Sequence, residues 1–232
     1  MCGRATLTKK PEVIEQQVQA KFESADLEQA QKLLPTYNIA PTHWHPVITN
    51  DAPQQLQLFK WGLIPAWAKD TKIASRLINA RIETITGKPA FKAIHTRRCL
   101  VPFDGFYEWK KAGKSKVPYH ISLKGRTIFC VAGIWETWKD STGKFVHTFS
   151  VLTQSPNELM APIHNRMPVI LSKEQEKNWL DTSLPIKEIL ASISPFPSEL
   201  MEAYQVSDRV GKVANNDASL LNRNFPRQGT LF

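Results

Sequence analysis

Two hydrophobic patterns alternate along the chain and predict its secondary structure. β-branched and aromatic side chains dominate six short stretches, which we predict to be strands: residues 45–50, 55–61, 119–123, 127–138, 146–153 and 167–171. Apolar residues at helical spacing follow Pro11 and Pro185 and fill residues 27–34, so these three segments are predicted to be helices. The combination predicts an α+β fold, in which helices flank a mostly antiparallel sheet or an open β-barrel.

Side-chain patterns define the predicted helices more closely. Ser172 and Gln175 have the spacing of a capping box, which predicts a further helix through Trp179. After Pro185, the residues at helical spacing are Ile186, Ile189, Leu190 and Ile193. The helix that begins near Pro11 has an apolar stripe that we expect to be buried, formed by Val13, Ile14, Val18 and Phe22.

The chain has 232 residues, of which 42% are apolar, and this is enough for a sizeable core. Because no low-complexity linker interrupts it, we expect residues 1–232 to form one domain. The longest apolar stretch, residues 127–135, is too short to span a bilayer, and the first residues lack the apolar core of a secretory signal. These features predict a cytoplasmic protein. The cysteines, at positions 2, 99 and 130, lack the spacing of a disulfide framework or a structural zinc site.

The charge balance points to a polyanionic partner. Thirty Lys and Arg residues against 21 Asp and Glu leave a net charge of +9. Such a surplus favours binding to phosphates, because association releases their counterions; a protein that is merely soluble and basic is the alternative. The basic residues are spread through the predicted fold, which indicates a structured basic face rather than a tail: they occur at residues 9–10, 97–98, 110–116 and 223–227.

The second residue is a candidate nucleophile. Removal of Met1, which we expect before a small side chain, would leave Cys2 with an α-amine beside its thiol. An α-amine has a pKa of about 7.7–8.0, against about 10.4 for a lysine, so it can attack an aldehyde at neutral pH. The thiol can then close a five-membered thiazolidine ring. The alternative is that Cys2 is inert, since a lone cysteine is a weak indication of catalysis.

Residues 77–83 alternate between apolar and polar side chains. Read as an extended chain, they place Asn79, Arg81 and Glu83 on one face, and a guanidinium there could bind a phosphate through two hydrogen bonds. The opposite face, made of Ile78, Ala80 and Ile82, would pack into the core. The alternative is a solvated strand face with a local ion pair.

Two further side chains could transfer protons. Glu108 lies among aromatic residues, and a carboxyl desolvated in this way suits general acid–base catalysis near neutral pH; alternatively it pairs with Lys110 or Lys111 on an exposed strand. His164 precedes a predicted strand and could shuttle protons or serve only a structural role. Burial of the carboxyl decides between the two interpretations of Glu108.

Tryptophans next to lysines in residues 60–69 could stack on unpaired bases. We expect Trp61 to belong to the core, whereas Trp67 lies in a predicted loop and is the better candidate for a base-stacking wedge. His43 and His45 have a spacing compatible with a metal site, but nothing in the sequence supplies further ligands, so we predict no metal.

Seven motifs occur together in the chain. They are MCGR at 1–4, TYNIAPT at 36–42, WGLIPAW at 61–67, NARIET at 79–84, CLVPFDGFYEWK at 99–110, IHNRMPVIL at 163–171 and VGKVANND at 210–217. In this order they resemble the SRAP family of abasic-site processing proteins, which is related to the SOS-response-associated peptidases of bacteria. The resemblance covers nearly the whole chain and is weakest between residues 180 and 204.

The resemblance implies a cytoplasmic monomer, nucleoid-associated when bound to DNA, that links covalently to abasic sites in single-stranded DNA or at junctions with double-stranded DNA. It implies no cofactor and no membrane partner. Cys2 would be the nucleophile, Asn79 would orient it or the sugar, and Glu108 would transfer protons. His164 would position the phosphate 3′ to the lesion and assist reversal. The implied DNA-contacting residues are Arg4, Asn38, Pro41, Trp67, Arg81 and Thr153.

Two other functions remain open from the sequence. N-terminal-nucleophile amidohydrolases, such as glutaminases, also begin Met-Cys-Gly, and there Cys2 would attack an amide carbonyl. A non-covalent reader of modified or single-stranded DNA would need no reactive cysteine. The peptidase activity in the family's name is implied mainly as release of Met1 from the chain itself.

Overall fold

Short strands make up most of the chain in the computed structural model, which describes residues 2–125 and 127–224. The helices are Pro11–Val18 (α1), Ser24–Leu33 (α2), Lys173–Leu180 (α3) and Ile186–Ser192 (α4). The strands are, in chain order β1 to β13, Ala5–Leu7, Lys21–Phe22, Thr36–Ile39, Trp44–Thr49, Ala52–Trp61, Asn79–Arg81, Arg98–Phe103, Gly105–Ala112, Ser115–Leu123, Phe129–Lys139, Phe145–Gln154, Met167–Pro168 and Met201–Gln205. Among these described residues, no helix has the length and apolar character needed to cross a membrane.

Five strands close into a barrel. Its strands pair antiparallel in the order β11–β10–β7–β4–β5. A parallel contact between β5 and β11, at Lys60–Thr148 and Trp61–Phe149, completes the ring. The α+β class and the mostly antiparallel sheet are therefore confirmed, and the predicted open barrel is closed by this one parallel contact.

Aromatic side chains fill the barrel. The rings of Trp61 and Phe149 stack with their centroids 6.1 Å apart, and Phe103 packs against Trp61 at the same centroid distance. Trp179 of α3 is wholly buried, and its indole N–H donates to the backbone carbonyls of Cys99 and Gly133. Burial of these large rings contributes to the hydrophobic stabilisation of the fold.

A second, antiparallel sheet carries the N-terminus. Its strand order is β13–β9–β8–β1–β3. β1 pairs with β8 through Ala5–Phe106 and Thr6–Gly105, and the amide of Tyr107 donates to the carbonyl of Arg4. Beyond this point, the described part of β8 pairs with β9 only. The end of β1 therefore leaves the next residues of β8 beside the start of the chain.

The first helix is shorter than its apolar stripe predicted. Ile14 is buried, but Val13 is 38% exposed. The helix ends at Val18 because Gln19 adopts a left-handed conformation with φ of 59°. Phe22 is buried as predicted, but on β2, where it pairs with Leu56 of β5. A residue predicted to lie on a helix is thus part of the sheet.

Most other predicted segments are present in the structure but differ from the prediction in length. The Ser172–Gln175 capping box is present in full. Only Asn79–Arg81 of the extended segment forms a strand, and of residues 167–171 only Met167–Pro168 does. The sequence patterns did not identify five further strands, namely β1, β3, β7, β8 and β13.

Candidate active site

Cys2 precedes β1 of the second sheet and contacts β6, the short strand that pairs with β11 of the barrel. Its side chain is wholly buried, and Asn79 donates a hydrogen bond of 2.8 Å from Nδ2 to the Cys2 carbonyl. Asn79 is held in register by the parallel pairing of β6 with β11, opposite Val151. Its Oδ1 is buried and accepts no hydrogen bond from the described residues. This oxygen can therefore accept a hydrogen bond from an amine or a hydroxyl group placed beside Cys2.

Glu108 and His164 lie next to each other, and Glu108 lies close enough to Cys2 to affect its thiol. Glu108 is only 2% exposed. Of the two interpretations of this residue, burial among aromatic side chains is therefore correct and an exposed strand position is not. Oε1 of Glu108 lies 3.9 Å from Nδ1 of His164. This Nδ1 lies 3.1 Å from the backbone nitrogen and 3.2 Å from the backbone oxygen of Arg166, so the backbone there can serve it either as donor or as acceptor. The pair can accept a proton at one group and donate one at the other.

The Cys2 thiol is kept protonated by its surroundings. Burial, and after it the negative charge of Glu108, raises the pKa of this thiol well above its ordinary range. A thiol in this state is a poor nucleophile until a base removes its proton.

Arg81 and Thr153 lie side by side on β6 and β11, where they are in register. Arg81 is exposed and Thr153 is buried. Arg166, which sequence reasoning missed, donates two hydrogen bonds to Glu83 and one to the Thr153 carbonyl. Its guanidinium lowers the pKa of Glu83 by hydrogen bonding. The sequence could have identified Arg166 by its position within the IHNRMP motif, two residues after His164.

Arg4 and Asn38 bind the chain itself. Arg4 donates to the carbonyls of Val210 and Gly211 and to Asn38 Oδ1. The buried Asn38 amide lies 2.8 to 3.2 Å from three carbonyl oxygens of the C-terminal segment, those of Val210, Lys212 and Asn215. Both side chains therefore hold residues 210–215 in place, a contact that the sequence did not predict.

The remaining predicted DNA-contacting residues are arranged on the surface. Trp67 is 62% exposed, whereas Trp61 is wholly buried, which confirms that these two tryptophans have different environments. Trp67 lines a cavity of about 510 Å³ together with residues of the 89–97 segment, apart from the cavity that Glu108 and His164 line. Pro41 is half-buried and precedes Thr42, whose φ is 76°.

The basic segments are only partly on the surface. Arg98 is wholly buried over the ring of Trp179 and donates to the Asp181 carbonyl. The prediction that residues 97–98 contribute to a basic surface is therefore wrong for Arg98. Its long side chain instead links β7 to the end of α3. Arg223 pairs with Glu202, and Met1 and residues 225–232, which include Arg227, lie outside the described residues.

Nε2 of His45 is not available to bind a metal, because it lies 2.7 Å from the Pro102 carbonyl oxygen. Burial lowers the pKa of His45 to about 4. Within residues 2–125 and 127–224, no group of three or more His, Cys, Asp or Glu residues is placed to hold a metal ion.

Glu108 and His164 line a cavity of about 710 Å³ with residues 161–165 and Gly211. The cavity thus brings a carboxyl and an imidazole to a surface opening, and the buried Cys2 thiol lies close enough to Glu108 to be affected by its charge. These groups can add a nitrogen or sulfur nucleophile to a carbonyl carbon and transfer the protons that such an addition requires.

The chain is similar to known proteins over most of its length. A family model described as SOS response associated peptidase (SRAP) matches residues 1–213. The abasic site processing protein YoaM of Bacillus subtilis is 42% identical over 226 residues, which cover 95% of this chain and 97% of YoaM. The abasic site processing protein HMCES of Xenopus tropicalis is 28% identical over 257 residues, which cover 93% of this chain and 76% of that protein.

A solved structure is also similar over the full length. A crystal structure of a protein from Bacteroides thetaiotaomicron matches with a TM-score of 0.89 and 34% identity, covering 97% of this chain and all of that one. Family model, sequence relatives and structure thus point the same way, and each covers most of the chain. The chain belongs to the SOS response associated peptidase (SRAP) family.

Proposed function

We propose that the protein processes abasic sites in single-stranded DNA by forming a covalent link through Cys2 after removal of Met1. The observation that carries the proposal is a chain of contacts between the four candidate residues: Asn79 bonds the Cys2 carbonyl, Glu108 affects the Cys2 thiol, and Glu108 lies beside His164. Glu108 and His164 also line an open cavity. An abasic site presents an aldehyde within a polyanion, and this site places an aminothiol next to proton-transfer groups. The abasic site processing relatives, 42% identical in the case of YoaM, support the same substrate.

In the first step, Glu108 takes the proton of the anomeric hydroxyl as the C1′–O4′ bond breaks and returns this proton to O4′. The Cys2 amine then adds to the C1′ aldehyde and forms a carbinolamine. Loss of water, assisted by a proton from His164 or Glu108, produces the Schiff base. The unoccupied Oδ1 of Asn79 orients the amine by accepting one of its hydrogen bonds.

In the second step, the Cys2 sulfur adds to C1′ and its proton passes to the imine nitrogen, which becomes the secondary amine of a thiazolidine. The step consumes no oxidant or reductant. Because the thiol is held protonated by burial and by Glu108, it adds only once the electrophilic imine lies beside it. The ring removes the imine through which strand scission by β-elimination would proceed, and the lesion is thereby shielded.

The DNA path runs across the mouth of the cavity. Arg81 is exposed next to Thr153 and would bind a phosphate. Trp67 would stack on a base, and Pro41 would line the path. Arg4 and Asn38 act on the path indirectly, by holding residues 210–215 at its edge. We propose a monomer that acts in the cytoplasm and binds single strands or their junctions with duplex DNA.

Intact-protein mass spectrometry after incubation with an abasic oligonucleotide tests the proposal. We expect one adduct, with the mass of the oligonucleotide minus one water, on chains that lack Met1. An unmodified protein mass after prolonged incubation would refute the covalent mechanism. A chain that retains residues ahead of Cys2 should form no adduct, because its nitrogen is then an amide.

Cys2→Ser is the matched control for the second step. This variant keeps the amine but replaces the thiol, so we expect a Schiff base that borohydride traps and that hydrolyses without it. Cys2→Ala should behave in the same way. Stable capture of abasic DNA by Cys2→Ala, without reduction and under denaturing electrophoresis, would favour a link through another residue.

The peptidase function in the family description is proposed here to act on the bond between Met1 and Cys2. Conversion of glutamine to glutamate, measured with and without DNA, separates abasic-site processing from the glutaminase alternative. Activity on glutamine that is independent of DNA would favour the amidohydrolase alternative. Binding of abasic DNA without any adduct would favour a non-covalent reader.

A further inference from the structure

The cavity that Glu108 and His164 line also reaches three residues of the β8–β9 hairpin, Trp109, Lys111 and Lys116. Trp109 and Lys111 are two residues apart on β8 and therefore point to the same side of the sheet. The mechanism and DNA path proposed above use none of these three side chains.

The two lysines are an unfavourable pair unless an anion lies between them. Lys111 and Lys116 are direct cross-strand neighbours, and both are exposed. Like charges in this position destabilise a sheet. No carboxylate among residues 2–125 and 127–224 forms an ion pair with either ammonium group. An anion bound between them would relieve this repulsion.

Trp109 offers an aromatic surface next to this cationic pair. One part of the ring packs against the cluster of Tyr107, Val206, Val210 and Leu220, and the residue remains partly exposed at the cavity. Packing on one side fixes the ring, so stacking on it costs little further ordering. An aromatic ring beside two cations matches a nucleobase attached to its phosphate.

We propose that Trp109, Lys111 and Lys116 form a subsite for the nucleotide on the 3′ side of the lesion, with its base on Trp109 and its own 3′ phosphate between the lysines. The inference rests on the proposed function. It assigns the 3′ side because His164, which would position the 3′ phosphate of the abasic residue, lines the same cavity. The volume of about 710 Å³ lies within the range of sites that hold ligands of this size.

Binding to oligonucleotides with a tetrahydrofuran abasic analogue tests the subsite without covalent chemistry. The first oligonucleotide carries nucleotides on both sides of the lesion. The second keeps the 5′ nucleotides and ends at the 3′ phosphate of the lesion. The third keeps the 3′ nucleotides and lacks the 5′ ones. Fluorescence anisotropy over a range of salt concentrations gives the affinity and its salt dependence for each.

We expect the Lys111→Glu, Lys116→Glu double variant to bind the first and third oligonucleotides about tenfold more weakly at low salt. Its salt slope should be smaller by about 0.7 for each phosphate that the variant no longer neutralises. Affinity for the second oligonucleotide should change less than about twofold, since only nonspecific attraction remains. Equal weakening on all three, or a weakening that follows the 5′ nucleotides, would overturn the assignment.

Lys114→Glu is the matched control for Lys111→Glu. Lys114 is exposed at the turn of the same hairpin but does not line the cavity. If Lys114→Glu weakens binding as much as Lys111→Glu does, the effect is one of general charge and the subsite is refuted. Lys116→Glu should melt at or above the wild-type temperature, because it turns a repulsive cross-strand pair into an attractive one.

Stacking on Trp109 has its own readout. A 2-aminopurine placed 3′ to the lesion should lose fluorescence on binding, and the loss should persist in Trp109→Phe but not in Trp109→Leu. Quenching that is unchanged in Trp109→Leu would refute the stacking role. These measurements need no crosslink, so a wild-type chain that fails to form an adduct refutes the proposed function and leaves the test of the subsite intact.

Discussion

In the proposed mechanism, Glu108 affects the two nucleophiles of the candidate site in opposite ways. As a carboxylate it would accept the protons that ring opening and Schiff-base formation release. The same charge, after burial, raises the pKa of the Cys2 thiol and so suppresses the thiolate. Under this proposal one residue promotes attack by nitrogen and delays attack by sulfur, and so sets the order of the two bonds.

Glu108→Gln should separate these effects. Without the negative charge, the pKa of the Cys2 thiol falls, and alkylation by iodoacetamide at pH 9 should accelerate by about tenfold for each pKa unit. Crosslinking to abasic DNA should slow by about 10²- to 10⁴-fold, the usual contribution of a general acid–base group. Peptide mapping of the alkylated chain and gel assays of the adduct measure the two rates.

Alkylation of the Cys2→Ala chain provides the background from Cys99 and Cys130, which are also buried. A Glu108→Gln chain that alkylates more slowly than wild type would contradict the electrostatic role. A chain that crosslinks at the wild-type rate would contradict the proton-transfer role.

At the scale of elements, the start of β8 depends on a close approach between two strands. A Cβ atom at Gly105 would lie 2.2 Å from Nε2 of His120 and 2.9 Å from Oγ1 of Thr6. His120 cannot move aside easily, because it is 5% exposed and packs between Tyr107 and Tyr204. Gly105 therefore sets the spacing of β1, β8 and β9, and with it the position of Glu108.

Gly105→Ala should lower the free energy of unfolding by about 1–3 kcal/mol, the usual cost of overpacking. Urea denaturation followed by tryptophan fluorescence measures it. Gly87→Ala is the control, since nothing lies within 4 Å of a Cβ at that position. It should leave stability unchanged or raise it by up to about 1 kcal/mol. Equal effects of both substitutions would show that the close approach is not limiting.

The C-terminal segment provides a second test at this scale. Asn38→Ala removes the donor that faces the carbonyls of Val210, Lys212 and Asn215, and an unsatisfied buried acceptor costs about 1–3 kcal/mol. Hydrogen exchange of residues 208–216 in the DNA-free chain should therefore accelerate by about tenfold or more. If Asn38 serves DNA contact alone, exchange in this segment will stay at the wild-type rate.

At the scale of the whole molecule, two buried histidines make stability depend on pH. His45 is 1% and His120 is 5% exposed, and burial lowers the pKa of each from 6.5 to about 4. Between these values the unfolded chain binds protons that the folded chain does not. The free energy of unfolding therefore falls as the pH falls from about 6.5 to about 4, and this contribution is constant outside that window.

Each histidine should lower the free energy of unfolding by roughly 3 kcal/mol over this window. Urea denaturation at intervals between pH 7 and pH 4 measures the slope. His120→Gln should remove about half of the pH dependence that the two histidines give to the free energy of unfolding, because only His45 then remains. This expectation holds whatever the substitution does to stability at pH 7. A variant with the wild-type slope would place the titration elsewhere.

Local patterns carried much of the prediction. The α+β class, the capping box at Ser172, and the contrast between buried Trp61 and exposed Trp67 all depend on neighbouring residues, whose preferences are present in a short window of sequence. The motifs also singled out Cys2, Asn79, Glu108 and His164 as candidates. Their roles stay predictions until the crosslinking experiments are done.

The tertiary structure alone decided what these residues face. Phe22 joined the sheet rather than a helix, and Arg98 became a buried link to α3, because strand pairing and burial outweigh local preference. The contact of Asn79 with Cys2 and the hold of Asn38 on residues 210–215 join segments that are far apart in the sequence. Such contacts depend on how whole sheets close on one another, and a short stretch of sequence does not specify its distant partner.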